Sequence, residues 1–221
     1  MKSRQLIALI KKDFLLEFRQ QQAVYGIVLY IAATIFVLKM AVDHIDDSMV
    51  WDALFWITQL FVVTNAVAKS FLGDAKGRQL YYYTIAHPAA FILSKLIFNF
   101  VLMTVLSAIS LGLYTVLLGS DPLVHAGMFF GIAILGSTSL ALVFTLLSAI
   151  ASKAMQQASL MAILGFPIII PQLTVLIRLS KVAFGEVFRA GAVLQLSGML
   201  VGIDLMLIIL SVILFPFLWK D

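Results

Sequence analysis

The sequence contains no cysteine, and charged residues make up only 12% of its 221 positions. The absence of cysteine excludes disulfides, thiolate metal sites and cysteine nucleophiles. Hydrophobic residues reach 62%, and a soluble fold of this length leaves too much surface exposed to hide that many apolar side chains. Soluble enzymes, nucleic-acid binders and disordered scaffolds are therefore excluded, and lipid is the solvent for most of the chain. The net charge of +4 fits anionic lipid rather than nucleic acid as the partner.

Nucleotide-binding and catalytic motifs are also missing. Gly73 and Gly77 flank a short charged stretch, but the Lys-Ser/Thr pair of a phosphate-binding loop does not follow. We therefore expect a non-catalytic chain, with ATP and Mg²⁺ bound by another polypeptide. The sequence shows no metal-protease motif, catalytic triad or paired carboxylates. His44, His87 and His125 are isolated in connecting segments, where histidine is usually a solvated polar residue, so we expect no metal or cofactor on this chain.

Six apolar segments are each long enough to cross a bilayer, which takes about 20 residues. The predicted spans are 23–42, 50–68, 90–118, 126–151, 155–177 and 190–218. Every connection between them is too short for a soluble domain. The sequence therefore predicts one all-α transmembrane domain over 1–221 with six membrane-spanning helices.

Residues 1–22 precede the first span and form a separate pattern. Ile7, Ile10, Phe14 and Phe18 recur at spacings of three and four, and basic residues lie off that stripe. This spacing predicts an amphipathic helix along the membrane interface, with its cations toward the lipid headgroups. The alternative is a cytoplasmic extension of the first span.

Basic residues divide unequally between the two sides of the predicted spans. With the N-terminus in the cytoplasm, eleven of the 15 cations fall inside and four outside, the four being Lys39, Arg178, Lys181 and Arg189. This bias is the positive-inside rule, and it predicts that both termini are cytoplasmic. Segment 178–189 carries three of the four outer cations. It is predicted to be a short amphipathic helix at the outer surface or, if the fifth span does not cross fully, an inner loop.

Several residues inside the spans carry polar or helix-bending character. Asp204 lies near the middle of the sixth span, where a carboxylate costs about 2.5–3.5 kcal/mol, so it must face protein or water. It either lines a path or titrates with a proton, or else it joins spans through a hydrogen bond. Pro167 and Pro171 predict a kinked or broken fifth helix, as a hinge or as a static bend. Two GxxxG pairs are compatible with close helix contacts, although such pairs also arise by chance. They are Gly127–Gly131 and Gly198–Gly202.

The inner connection 69–88 is the most informative polar segment. It combines mixed charges with three consecutive tyrosines and a His-Pro pair. Exposed aromatic residues and arginine are typical of protein contacts, which makes this segment a candidate docking site. The alternative is that the tyrosines mark the lipid interface.

The pattern as a whole resembles the CcmB family, the membrane subunit of the cytochrome c maturation ABC transporter. Segments 12–19, 77–95 and 165–172 carry the resemblance, which covers essentially the whole chain. It implies a permease fold like that of type-2 ABC exporters, working as a homodimer in the bacterial inner membrane. It also implies a CcmA-like ATPase, CcmC-like and CcmD-like membrane partners and, indirectly, a CcmE-like haem chaperone, with haem as the candidate cargo.

The same resemblance implies an ATPase-coupling element between spans two and three. On this sequence the expected contacts are Asp74, Lys76, Arg78, Tyr81, Tyr82, Tyr83 and His87. Secondary candidates in the other inner connection are Lys153, Met155, Gln156 and Gln157. Whether ATP hydrolysis moves haem or releases the loaded chaperone is left open. The alternatives are the permease of a lipid or drug ABC exporter and, less favoured because no internal repeat is present, a stand-alone secondary carrier.

Overall fold

A computed structural model describes residues 3–19, 21–42, 47–67, 71, 86–119, 121–152, 157–186 and 191–220. All regular structure in these residues is helical. The helices are α1 Ser3–Arg19, α2 Gln21–Ala41, α3 Ser48–Val67, α4 Pro88–Leu118, α5 Ala126–Ala151, α6 Gln157–Ser180 and α7 Ala192–Lys220, with a 3₁₀ helix at Lys181–Phe184. Helices α2 to α7 each contain a segment long and apolar enough to cross a membrane. The six predicted membrane-spanning helices are confirmed.

Helix α5 lies at the centre of the bundle. Of its spanning segment, 78% is buried by the rest of the chain, against 11% for α2 and 22% for α7. It packs against α3, α4, α6 and α7. Because lipid tails are as apolar as leucine, the exposed sides of α2 and α7 are what a membrane-spanning chain presents to lipid or to other subunits.

Two hydrophobic cores lie at opposite ends of the bundle. One includes Leu9 of α1 and Phe91 near the start of α4, and marks what we call the α1 end. The other is larger and extends to what we call the far end, where it contains an aromatic core with Trp51 in edge contact with Tyr114 and Phe129. The Tyr114 hydroxyl donates to the Trp51 carbonyl at 3.0 Å. Both polar groups of this buried contact are thus satisfied within the fold.

Side chains of two neighbouring helices pack onto Gly136 of α5. A Cβ atom at this position would lie 2.3 Å from Cη2 of Trp56 in α3 and 2.6 Å from Cδ2 of Leu176 in α6. Among the described residues, no atom lies within 4 Å of a Cβ built on any of the four glycines of the two GxxxG pairs. The close packing therefore belongs to a glycine outside both motifs.

Helix α1 packs against α4 with a face that is offset from the predicted apolar stripe. Leu9 and Asp13 are buried, and Phe14 contacts Phe98 of α4 edge-on with ring centroids 5.2 Å apart. Ile7, on the predicted stripe, is 64% exposed at the surface of the chain. Contact of the stripe with lipid stays a prediction. The side chain of Phe18 lies outside the described residues.

The basic segment after the fifth span lies at the far end of the bundle. Ala183 of the 3₁₀ helix is buried, and its carbonyl accepts from the backbone N–H groups of Val124 and His125, just before α5. Phe184 joins the aromatic core against Trp51 at 5.8 Å. The fifth span therefore crosses the whole bundle, and the described part of the segment lies at the end opposite α1. That this end is the outer surface stays a prediction. Residues 187–190 lie outside the described part.

Candidate functional site

Most of the predicted coupling residues lie outside the described part of the chain. These are Asp74, Lys76, Arg78, Tyr81, Tyr82 and Tyr83, with Lys153, Met155 and Gln156 of the second connection. Gln157 begins α6, and its side chain is not described. We call the residues between the end of α3 and the N-cap of the next helix the 68–86 segment. Of this region the structure describes Phe71 near the start, Ala86 at the end, and His87 directly after it.

His87 directly follows the 68–86 segment and is the N-cap of α4. Its backbone is extended, and its Nδ1 accepts from the Ala89 N–H at 3.3 Å, which satisfies one of the unpaired donors of the first helical turn. Pro88 occupies the first helical position, where its missing N–H costs nothing. The His-Pro pair therefore starts the helix where the connection ends, a role the sequence did not reveal. Docking of His87 on an ATPase stays a prediction.

Phe71 anchors the start of the same segment. Its buried ring lies 6.3 Å from Phe91 of α4 and 6.1 Å from Phe215 of α7, and the latter two rings stack at 5.8 Å. Both ends of the segment are thus held at the α1 end, next to the start of α4. The C-terminal part of α7 reaches this same end, as two termini on one side of a six-span bundle require.

An ion pair lies directly beneath these rings. Lys95 of α4 donates to Asp13 of α1 at 3.0 Å, and the two side chains are only 6% and 3% exposed. The Lys95 ammonium also lies 5.9 Å from the Phe71 ring centroid and 5.8 Å from that of Phe91, within cation–π range. We call Asp13, Phe71, Phe91, Lys95 and Phe215 the Lys95 cluster. It joins α1, α4, α7 and the start of the 68–86 segment.

Two further charged residues of α1 adjoin the Lys95 cluster. Lys12 lies 3.1 Å from the same Asp13 oxygen and 5.6 Å from the Phe91 ring centroid. Burial raises the pKa of the Glu17 carboxyl, the positive charge of Lys95 opposes this rise, and Asp13 adds to it. Sequence reasoning missed this cluster. The available signals were an acidic residue four positions from Leu9 on α1 and a lysine inside an apolar span, since each of these needs a partner when buried.

Asp204 takes part in a polar contact among three helices. It accepts a hydrogen bond from Ser139 of α5, and Gln172 of α6 donates to the same serine hydroxyl. Gln172 is fully buried, while Asp204 is partly exposed. These hydrogen bonds join α5, α6 and α7 through the Ser139 hydroxyl. A path-lining or proton-linked role for Asp204 remains a prediction.

Pro167 and Pro171 lie inside α6, which continues through both as an α-helix from Gln157 to Ser180. The predicted break is therefore absent. Both prolines are exposed at the surface of this chain. Each proline lacks a backbone N–H, so the missing helix hydrogen bonds lie near lipid or a partner rather than in the core. A kink at these positions stays a prediction.

A buried carboxylate at the far end was not predicted as a site. Asp52 of α3 accepts from the Ser180 hydroxyl at 2.8 Å, and the Trp56 indole N–H donates to the same hydroxyl oxygen at 3.2 Å. In the sequence Asp52 lies near an acidic loop, and this position suggests a solvated residue rather than a buried one. Within the described residues, no group of three or more His, Cys, Asp or Glu residues is arranged to hold a metal ion.

Comparison with known protein families decides the identity of the chain. Residues 4–218 match the family described as CcmB protein. The chain belongs to the CcmB family. A search of curated proteins gave no match. CcmB proteins are membrane permease subunits of the haem-exporting ABC transporter for cytochrome c maturation, a complex that includes an ATPase. Family membership and the six apolar helices make this chain a multi-pass inner-membrane protein of that complex.

Proposed function

We propose that the chain is the passive, non-catalytic half of an ATP-driven machine. A CcmA-like ATPase binds ATP and Mg²⁺ and docks within residues 74–86 of the 68–86 segment. The chain converts the resulting movement into haem export or into release of the haem-loaded CcmE-like chaperone. Two copies of the chain work together, beside CcmC-like and CcmD-like proteins. Both termini are cytoplasmic, which the concentration of basic residues at that side supports.

The anchoring of segment 68–86 carries this proposal. Phe71 at its start and His87 at its end are held by packing and by a helix cap at the α1 end of the bundle. A push on the segment therefore acts on α4 directly and on α7 through Phe215. Family membership favours this function over a lipid or drug exporter, and nothing in the described residues favours a stand-alone carrier.

A direct haem ligand on this chain is not part of the proposal. His87 and His125 lie at the starts of α4 and α5 rather than within the spans, and His44 lies in a predicted outer connection. Haem is therefore treated as cargo of the complex.

The test is a double substitution in the docking segment. Arg78→Ala with Tyr82→Ala is expected to leave membrane insertion unchanged, because neither residue lies in a predicted span. It should uncouple ATP hydrolysis from haem delivery, measured both as haem passed to the chaperone and as haem-loaded chaperone released. Arg178→Ala, an exposed arginine near the far end of the bundle, is the matched control and should change neither quantity. Co-purification of the ATPase at the unchanged level, with hydrolysis still coupled, would refute the assignment. Haem delivery by the chain in vesicles without any ATPase would refute the passive role.

A further inference from the structure

We infer that Asp13 and Lys95 form a positioning clamp that fixes α1 to α4 next to Phe71, near the start of the 68–86 segment, so that movement of that segment reaches the spans instead of being absorbed by α1. This inference rests on the proposed function. It assigns the role to two residues that do not touch the cargo or the nucleotide.

The first support is the burial of the pair. Both side chains are more than nine-tenths buried and meet at 3.0 Å. A buried ion pair adds little to stability, because the free-energy cost of removing both charges from water can exceed their attraction. Well-packed apolar residues of similar volume often stabilise a fold equally well or better. What such a pair does supply is a fixed relative placement of the two helices that carry it, since either charge alone is strongly disfavoured.

The second support is the position of the pair where α1, α7 and the start of the 68–86 segment meet α4. Lys95 faces the rings of Phe71 and Phe91 on one side and Asp13 on the other. Phe71 belongs to the start of the docking segment, and Phe215 connects the same rings to α7. Within the Lys95 cluster, the Lys95 ammonium is thus the charged group that contacts both α1 and Phe71, near the start of the 68–86 segment.

The third support is the asymmetry of the Asp13 carboxylate. Its Oδ1 atom meets both Lys95 and Lys12, whereas its buried Oδ2 atom has no hydrogen-bond partner among the described residues. A buried acceptor without a partner lowers stability. The pair is therefore better suited to fixing the angle between α1 and α4 than to stabilising the fold.

The absence of cysteine makes a selective cross-link available as a direct test. Phe14 of α1 and Phe98 of α4 touch edge-on on the same helix pair. Replacing both with cysteine and joining them with a short, reducible thiol reagent holds α1 on α4 by a covalent bond. The un-cross-linked form of the same variant is the matched control, and reduction must reverse any effect.

The experiment uses the complete complex and measures three quantities: ATPase co-purified with the chain, ATP turnover, and haem delivery per ATP, counted both as haem passed to the chaperone and as haem-loaded chaperone released. Lys95→Met should leave assembly and ATP turnover unchanged and lower haem delivery per ATP by about tenfold, which is within the range of coupling effects. Lys95→Arg should restore it. Lys181→Met, which breaks an exposed pair with Glu186 of similar length (3.2 Å) near the far end, should have no effect. The Phe14→Cys/Phe98→Cys cross-link should restore coupling to the Lys95→Met chain and should not inhibit the chain that keeps Lys95.

Each outcome has a defined meaning. Inhibition by the cross-link when Lys95 is present would show that α1 must move against α4, and unchanged haem delivery per ATP in Lys95→Met would show that the pair has no positioning role. Either result overturns the clamp. If Lys95→Met fails to assemble, Asp13→Leu/Lys95→Met replaces it, because that variant removes both charges of the pair, and full coupling in it likewise overturns the clamp. Absence of ATP-linked haem delivery in the unchanged complex would instead refute the proposed function itself.

Discussion

Gly136 is the position where one added methyl group should disturb the bundle most. Its Cβ would lie 2.3 Å from Cη2 and 2.7 Å from Cζ3 of Trp56, and 2.6 Å from Leu176, whereas carbon atoms pack best at about 3.5–4.0 Å. Trp56 has little freedom to retreat. Its ring is 2% exposed, and its indole N–H is bonded to the hydroxyl of Ser180.

The magnitude follows from two opposing effects of Gly136→Ala. Overpacking a well-filled interior costs about 1–3 kcal/mol, and three contacts below 3 Å place this position in the upper part of that range. Replacing glycine by alanine within a helix returns up to about 1 kcal/mol. The net loss is about 1–2 kcal/mol, and the melting temperature should fall by about 2–8 °C at the 2–4 °C per kcal/mol expected for a chain of this size.

Thermal unfolding of the detergent-purified protein measures the effect. Gly131→Ala on the same helix is the matched control, because nothing lies within 4 Å of its Cβ, and it should melt at or above the unchanged temperature. Trp56→Phe removes the two ring atoms that the new methyl meets, so the combined variant should lose less than the sum of the two single losses. If Gly136→Ala melts as high as Gly131→Ala, the close approach of α3, α5 and α6 described above is wrong.

Three further predictions concern polar groups and prolines. Ser180→Ala should cost about 2–4 kcal/mol in unfolding free energy, because Asp52 and the Trp56 indole both lose their partner; a loss below 1 kcal/mol in denaturant titration would argue against the shared hydroxyl. Asp204→Asn keeps an oxygen for the Ser139 donor and should retain near-normal thermal stability, while Asp204→Leu should lose more; equal melting temperatures for the two would show that the hydrogen bond is not formed. Pro171→Ala should fold and melt at or above the unchanged temperature, because the helix already continues through this position, and a clear loss of stability would contradict a continuous α6.

The six spans were predictable because a hydrocarbon solvent leaves few solutions. Every backbone polar group must be satisfied within its own segment, so length and hydropathy alone identify each helix. Even the start of α4 has a local signal, since Pro88 suits a first helical turn. The sequence did not indicate that the preceding His87 would cap that turn.

The contacts between helices were not predictable in the same way. Gly136 has no small residue four positions away to form a motif, and its role depends on Trp56, which is eighty positions earlier. The Asp13–Lys95 pair spans eighty-two positions. Neighbours on one helix can be read from a period of three or four, but partners on different helices are set by the packing angle, which a single sequence does not contain.

Polar contacts of α5 explain how this bundle adopts one arrangement of helices in lipid, a solvent that does not itself favour one arrangement over another. Apolar helix faces gain little from meeting each other rather than lipid, so hydrogen bonds and close fits must choose the partners. Ser137 bonds to α3 through Gln59, Thr145 bonds to α4 through Asn99, and Ser139 meets both α6 and α7. The central helix is thereby tied to each of the four spans that it touches. Each such bond contributes only about 0.6 kcal/mol on average in a membrane, so the set fixes register and orientation more than it adds stability. Helix α1, whose contact with α4 uses an ion pair instead, is the element whose placement a single substitution should change most.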